Sequence, residues 1–158
     1  MFAEWLARLE AWQVAETLRT SIYIYPLVNA AHIFGIALIV GAILPTDLRL
    51  LGLFRRIPLV GFLSVMTGFA ACGVVIAAVS GFLLFTVQPR DYVANPAFLT
   101  KIVLVGAAIL NALILRLAHA WRVAATGQEP DAFVRISALL SLILWPAALV
   151  AGRWIGYL

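Results

Sequence analysis

The chain has 158 residues, 65% of them apolar and only 11% charged, with a formal net charge of +4. Soluble domains carry about a quarter charged and about half apolar residues, so this composition excludes an ordinary water-soluble fold and predicts one membrane-embedded bundle. The positive charge is scattered Arg and a single Lys near the ends of apolar runs, without the basic tracts a nucleic-acid groove needs, and a lone Cys72 cannot form an internal disulfide.

Residues 2–18 predict an amphipathic interfacial helix. Phe2, Trp5, Leu6, Leu9 and Trp12 recur at helical spacing, while Glu4 and Arg8 form an i,i+4 pair on another face. Packing onto the bundle as a cap is the other reading of this segment. Its charges also exclude a cleaved secretory signal.

Four spans are expected, at about residues 22–44, 60–87, 97–121 and 133–155. From Ile22 to Leu44 the only strongly polar side chains are Asn29 and His32, and at ~1.5 Å per residue the segment matches a hydrocarbon core of ~30 Å. Pro45 and the following Thr-Asp-Leu-Arg predict an exit to water, with Asp47 and Arg49 pairing with each other or capping helix ends. The second span, uncharged from Val60 to Val87, carries two small-residue rows, Ser64/Gly68/Cys72 and Gly73/Ala77/Gly81. Such rows admit close helix neighbours. Gln88 to Pro96 reads as a connector. The third span is the most polar, and at ~100° per residue it places Lys101 and His119 on one line with Asn111 near it, a stripe expected to face the interior. Thr126 to Asp131 reads as a loop, and the fourth span contains Pro146, with Ser137, Ser141, Ala148 and Gly152 as its close-packing residues. The predicted fold is therefore all-α, an integral membrane four-helix bundle forming a single transmembrane domain over residues 1–158.

His32 is the sharpest chemical feature, because an intramembrane ionisable residue is costly unless it faces protein, ligand or water. Asn29 lies one turn before it and Gly35 one turn after, leaving a gap wide enough for a flat ligand or another backbone. An imidazole so placed can ligate haem iron or another transition metal, relay protons, or hydrogen-bond a quinone. It can equally be a core residue satisfied by a neighbouring hydroxyl or carbonyl. Haem b at His32 would need a second axial ligand, and His119 lies too far along a parallel span to supply it within one chain. A copper site is disfavoured by the absence of clustered Met, Cys and His. Lys101, Arg153 and Trp154 gather near the mouths of the third and fourth spans, suited to haem propionates, an anionic substrate or lipid phosphates. The residues assigned to a cofactor site are His32, Asn29, Gly35, Lys101, Asn111 and Arg153, with His32 as the metal ligand if a metal is bound.

The stretch YPLVNAAHIFGIALIVGAILPTDLRLLG, with GFLLFTVQPRDYVANPAFLTK, the asparagine of AAILNALI and the terminal GRWIGYL, resembles a bacterial family of small four-span membrane proteins of uncharacterised function. The resemblance extends over nearly the whole chain and implies His32, Asp47, Arg49, Lys101, Asn111 and Arg153 as motif residues. Where that family often carries a carboxylate, this chain has Asn29. A looser likeness, in the layout of His32 and the Lys101 helix alone, is to copper-resistance membrane proteins and small di-haem cytochromes.

The functional expectation is a redox or cofactor-binding membrane subunit, with haem or quinone held at His32. The alternative is a non-catalytic assembly subunit or small transporter protomer in which His32 is structural. The first and third connections carry Arg49, Arg55, Arg56, Arg116, Arg122 and Arg135, against Arg8, Arg19, Arg90, Lys101 and Arg153 at the other end. This bias predicts both termini in the periplasm of a bacterial inner membrane. The expected partners are the lipid bilayer and a homo-oligomer or larger membrane complex, with no nucleic acid.

Overall fold

The computed structural model describes residues 1–157, all of whose regular elements are α-helices. In chain order they are α1 (Phe2–Glu10), α2 (Gln13–Thr20), α3 (Ile24–Leu50), α4 (Leu59–Val87), α5 (Pro89–Ala94), α6 (Pro96–Leu117), α7 (His119–Ala125) and α8 (Ala132–Trp154). Four of them, α3, α4, α6 and α8, are long and apolar enough to cross a membrane. Their outward surfaces carry large apolar side chains such as Ile33, Phe34, Val75, Leu113 and Ile143, as a lipid-facing surface requires.

The helices alternate in direction, so the starts of α3 and α6 share one end of the bundle with the ends of α4 and α8. Here it is called the His32 end, and the opposite one the Asp47 end. The most extensive packing is α3 on α4 and α6 on α8, and the two hairpins meet through α3 and α8. Midway, Ile39, Ala108 and Trp145 form one buried cluster; at the Asp47 end, Leu50, Leu59, Leu63, Leu115, Val134 and Ala138 form another.

Pro45 does not end α3. The helix continues to Leu50, and Asp47 and Arg49 are buried, 5% and 8% exposed. The expected exit to water at Thr-Asp-Leu-Arg is thus corrected to one further helical turn inside the bundle. The true stop is Gly52, at φ +102°, where Gly52 N donates to Arg49 O at 3.1 Å and Leu53 N to Leu48 O at 2.9 Å. This paired closure is a Schellman motif, and it requires a residue that tolerates the left-handed region.

Three further expectations are revised. Residues 2–18 form two short helices, and both pack on the bundle, burying Leu6, Ala15 and Leu18. Arg19 fixes them by donating to Glu10 O and, at 3.1 Å, to Val87 O, while Glu10 pairs with Arg90 at 3.4 Å. The connector after α4 holds α5, which Pro89 starts at its first turn. Asn95 then caps α6 by accepting from Ala97 N and Phe98 N, and its amide donates to Ile155 O at 3.2 Å, tying α6 to the end of α8. Finally, the third span stops at Leu117: Ala118 is extended (φ −69°, ψ 146°) and α7 turns away. The break lets Trp121 fold back onto the Leu50 cluster.

Candidate functional site

His32 sits on α3 where that helix approaches α4 most closely. A Cβ on Gly35 would lie 2.7 Å from Ala77 N, and one on Gly73 would lie 2.8 Å from Gly35 O. Only glycine permits such backbone contact. The expected gap beside His32 is therefore filled by the α4 backbone, with Gly73, Ala77 and Gly81 forming the face that receives α3. The other small row is outside the packing: Ser64, Gly68 and Cys72 are exposed.

The His32 ring is half-buried and lies over Gly81, whose absent Cβ would fall 2.8 Å from the ring's Cε1. Its Nδ1 lies 3.0 Å from Ala77 O and 3.2 Å from Ser80 Oγ, and Ser80 itself donates to Ile76 O at 2.6 Å. A backbone carbonyl can only accept, so in the neutral ring the proton belongs on Nδ1 and the lone pair on Nε2. That is the tautomer of an imidazole whose second nitrogen serves a ligand or an O–H donor.

Lys101 enters from α6. Its chain lies along Gly152 of α8, where an added Cβ would meet Cδ and Cε at 3.4 Å and Nζ at 3.5 Å, and its ammonium is within electrostatic reach of His32. No acidic side chain pairs with it among the described residues. One turn nearer the membrane surface is an aromatic cluster. Phe85 and Phe98 stack with centroids 5.6 Å apart, and Tyr92 of α5 lies 5.3 Å from Phe98 and 6.2 Å from Phe85. Burial and the neighbouring Tyr25 phenol push Tyr92 above the usual tyrosine range. The His32 end thus holds an imidazole with its lone pair on Nε2, an ammonium without an acidic partner among the described residues and, about one turn away along α4 and α6, a cluster of stacked rings.

Of the other expected site residues, none joins this group. Asn29, one turn before His32 on α3, is exposed and makes no hydrogen bond to the imidazole, whose partners are Ala77 O and Ser80 Oγ. Arg153 is exposed and committed to Tyr157, its Nη2 donating to the phenol at 2.8 Å and its guanidinium 4.8 Å from the ring, while Trp154 is exposed. Asn111 does face the interior, but it bridges α6 to α8: Nδ2 donates to Ser137 O and Oδ1 accepts from Ser137 Oγ, both at 3.0 Å. His119 is exposed on α7 at the opposite end of the bundle, which takes it out of the expected interior stripe. Arg49 does not pair with Asp47; it donates to Ile57 O at 2.9 Å and to Arg55 O at 3.4 Å, closing the α3–α4 turn.

Ser80 and the aromatic cluster escaped the sequence reading. The signal for Ser80 was its place beside Gly81 in the small-residue face of α4. The aromatics come from three elements whose meeting no local pattern specifies. Among the described residues no group of three His, Cys, Asp or Glu side chains could hold a metal ion. No family model, curated protein or solved structure matches the chain.

Proposed function

We propose that the protein is a membrane subunit that binds a flat, lipid-soluble ligand of the quinone class at the His32 end, with His32 and Lys101 as its polar contacts. The observation that carries this reading is the fixed imidazole: Nδ1 is held by Ala77 O, leaving Nε2 as an acceptor, with an ammonium in reach. Nε2 can accept from a hydroxyl of the hydroquinone form, and Lys101 can donate to the ring's other oxygen, a hydroxyl oxygen in that form and a carbonyl in the oxidised quinone. The rings of Phe85, Tyr92 and Phe98 suit a planar head group by offset stacking.

The same charge pattern weighs against a copper ion at this position. Lys101 repels a metal cation beside its would-be ligand, and no carboxylate offsets it among the described residues. A second axial imidazole from this chain is ruled out by the place of His119 at the other end. Haem iron shared between two copies is distinguishable by its spectrum.

The test is quinone extraction and binding on detergent-purified protein. Wild type should copurify with quinone or bind a short-chain analogue, and His32→Ala and Lys101→Met should each weaken binding at least ~10-fold, about 1.4 kcal/mol. Wild-type protein that neither carries nor binds a quinone would overturn the proposal, as would a Soret band that shifts on dithionite reduction.

The second reading, a non-catalytic assembly subunit or transporter protomer, is favoured by the exposed α4 row of Gly61, Ser64, Gly68 and Cys72, a surface suited to a partner helix in a homo-oligomer or larger complex. On either reading we place the chain in a bacterial inner membrane with both termini periplasmic. The support is the Arg excess at the Asp47 end. The uncharacterised four-span family named above fits both readings.

A further inference from the structure

Asp47 is a second ionisable group inside the bundle, at the far end of α3 from His32. The separation is 47 − 32 = 15 residues, about 22 Å along the helix at ~1.5 Å per residue. The side chain is 5% exposed, and Oδ2 is buried with no hydrogen-bond partner. Ser141 of α8, itself buried, is the polar side chain beside the carboxyl, within reach of a hydrogen bond that is not closed in this structure.

The charged groups on the surrounding elements are engaged elsewhere or exposed. Arg49, on the same helix, is spent on the carbonyls of the α3–α4 turn. On α8, Arg135 pairs with Glu129 at 3.5 Å, its own Nε being buried without a partner. On α6, Arg116 lies over the Trp121 ring and Asn111 is bonded to Ser137, while His119 and Arg122 of α7 are exposed. From α4, Leu59 and Leu63 enter the adjoining core.

A buried carboxylate ordinarily has a cation or several N–H donors, since an uncompensated charge in the core is very costly. Asp47 has one hydroxyl. A sodium or calcium ion would need about six oxygen ligands, whereas here the Ser137 hydroxyl is committed to Asn111 and the Asp47 carboxyl and Ser141 remain. A proton needs a single oxygen. We propose that Asp47 is a proton-binding site at its end of the bundle, the proton arriving from the aqueous side on Oδ2 and Ser141 bonding to the carboxyl. It lies one turn from the end of α3 and is independent of what His32 binds.

Difference infrared spectroscopy of reconstituted protein, exchanged between acid and alkaline buffer, tests it. The acid state should show the carbonyl stretch of an un-ionised, buried carboxylic acid, downshifted in D2O. That band should be lost in Asp47→Asn, move in Asp47→Glu, and rise in frequency in Ser141→Ala, where one hydrogen bond to the carboxyl is removed. Asn matches Asp in size, so a thermal melt no worse than wild type shows that band loss is not misfolding. Should that variant fail to fold, the displaced band of Asp47→Glu decides. A wild-type spectrum without the band, or a band unchanged by the Asp47 substitutions, overturns the proposal. So does a transition that moves with sodium concentration at constant ionic strength, which would make the ligand a metal cation.

Discussion

Asn111 and Ser137 show what a polar residue inside a membrane bundle costs and returns. Each satisfies the other across α6 and α8, and Asn111 also binds the Ser137 carbonyl. Asn111→Ala removes both bonds, but Ser137→Ala removes only the hydroxyl one. Bonds of this kind average about 0.6 kcal/mol and stay under ~2. Asn111→Ala should therefore destabilise by about 1 kcal/mol and by more than Ser137→Ala, with a double variant less costly than the sum. Reversible unfolding in mixed micelles reads this directly, and equal single-variant effects that add would contradict the exchange of bonds. At this scale the sequence was legible for outliers. His32, Lys101 and Asn111 stood out as polar groups in apolar runs, and all three are at least partly buried. Asn29 stood out by the same criterion and is exposed, because composition registers depth along a helix but not which side the residue faces.

At the scale of the element, glycines decide how α3 meets α4. Gly35 and Gly73 face each other at backbone contact, whereas Gly68 has no atom within 4 Å of its would-be Cβ. Gly35→Ala should force the helices apart and cost about 1–3 kcal/mol, the usual penalty for overpacking. Gly68→Ala should be neutral or stabilising by up to ~1 kcal/mol through helix propensity. Thermal melts of the two variants in one detergent make the comparison, and equal melting temperatures would refute the assignment of the packing face. The sequence showed two small-residue rows on α4 without distinguishing them, since both have the same i,i+4 spacing. It also carried the stop signal for α3 in Gly52, which the nearer Pro45 masked. Thr46 follows that proline and donates its hydroxyl to Ala42 O at 2.7 Å, within a helix that remains continuous.

At the scale of the molecule, the His32 end is covered by short elements, and α1 and α2 bury only Leu6, Ala15 and Leu18 against the rest of the chain. α1 and α2 depend on Arg19, whose guanidinium joins the end of α1 to the end of α4. Arg19→Ala should release this pair while leaving the four long helices intact. Limited proteolysis should then cut between residues 1 and 21 several-fold faster than in wild type, with little change in the global melt. A resistant N-terminal segment in that variant would show that burial of Leu6, Ala15 and Leu18 alone holds it.

The number and order of the apolar helices were determined by the sequence alone, because a membrane-crossing helix needs about twenty consecutive apolar residues and nothing else competes with that requirement. What lay beyond it was azimuth and closure. Whether Asp47 met water or core, whether His119 faced in or out, and whether Arg153 joined Lys101 depended on which helix faces met and where α6 broke. Those outcomes follow from long-range packing, Gly35 on Gly73 and Trp121 on the Leu50 cluster. In lipid every outward face is as apolar as every inward one, so the hydrophobic pattern that tells inside from outside in a soluble protein carries no such information here.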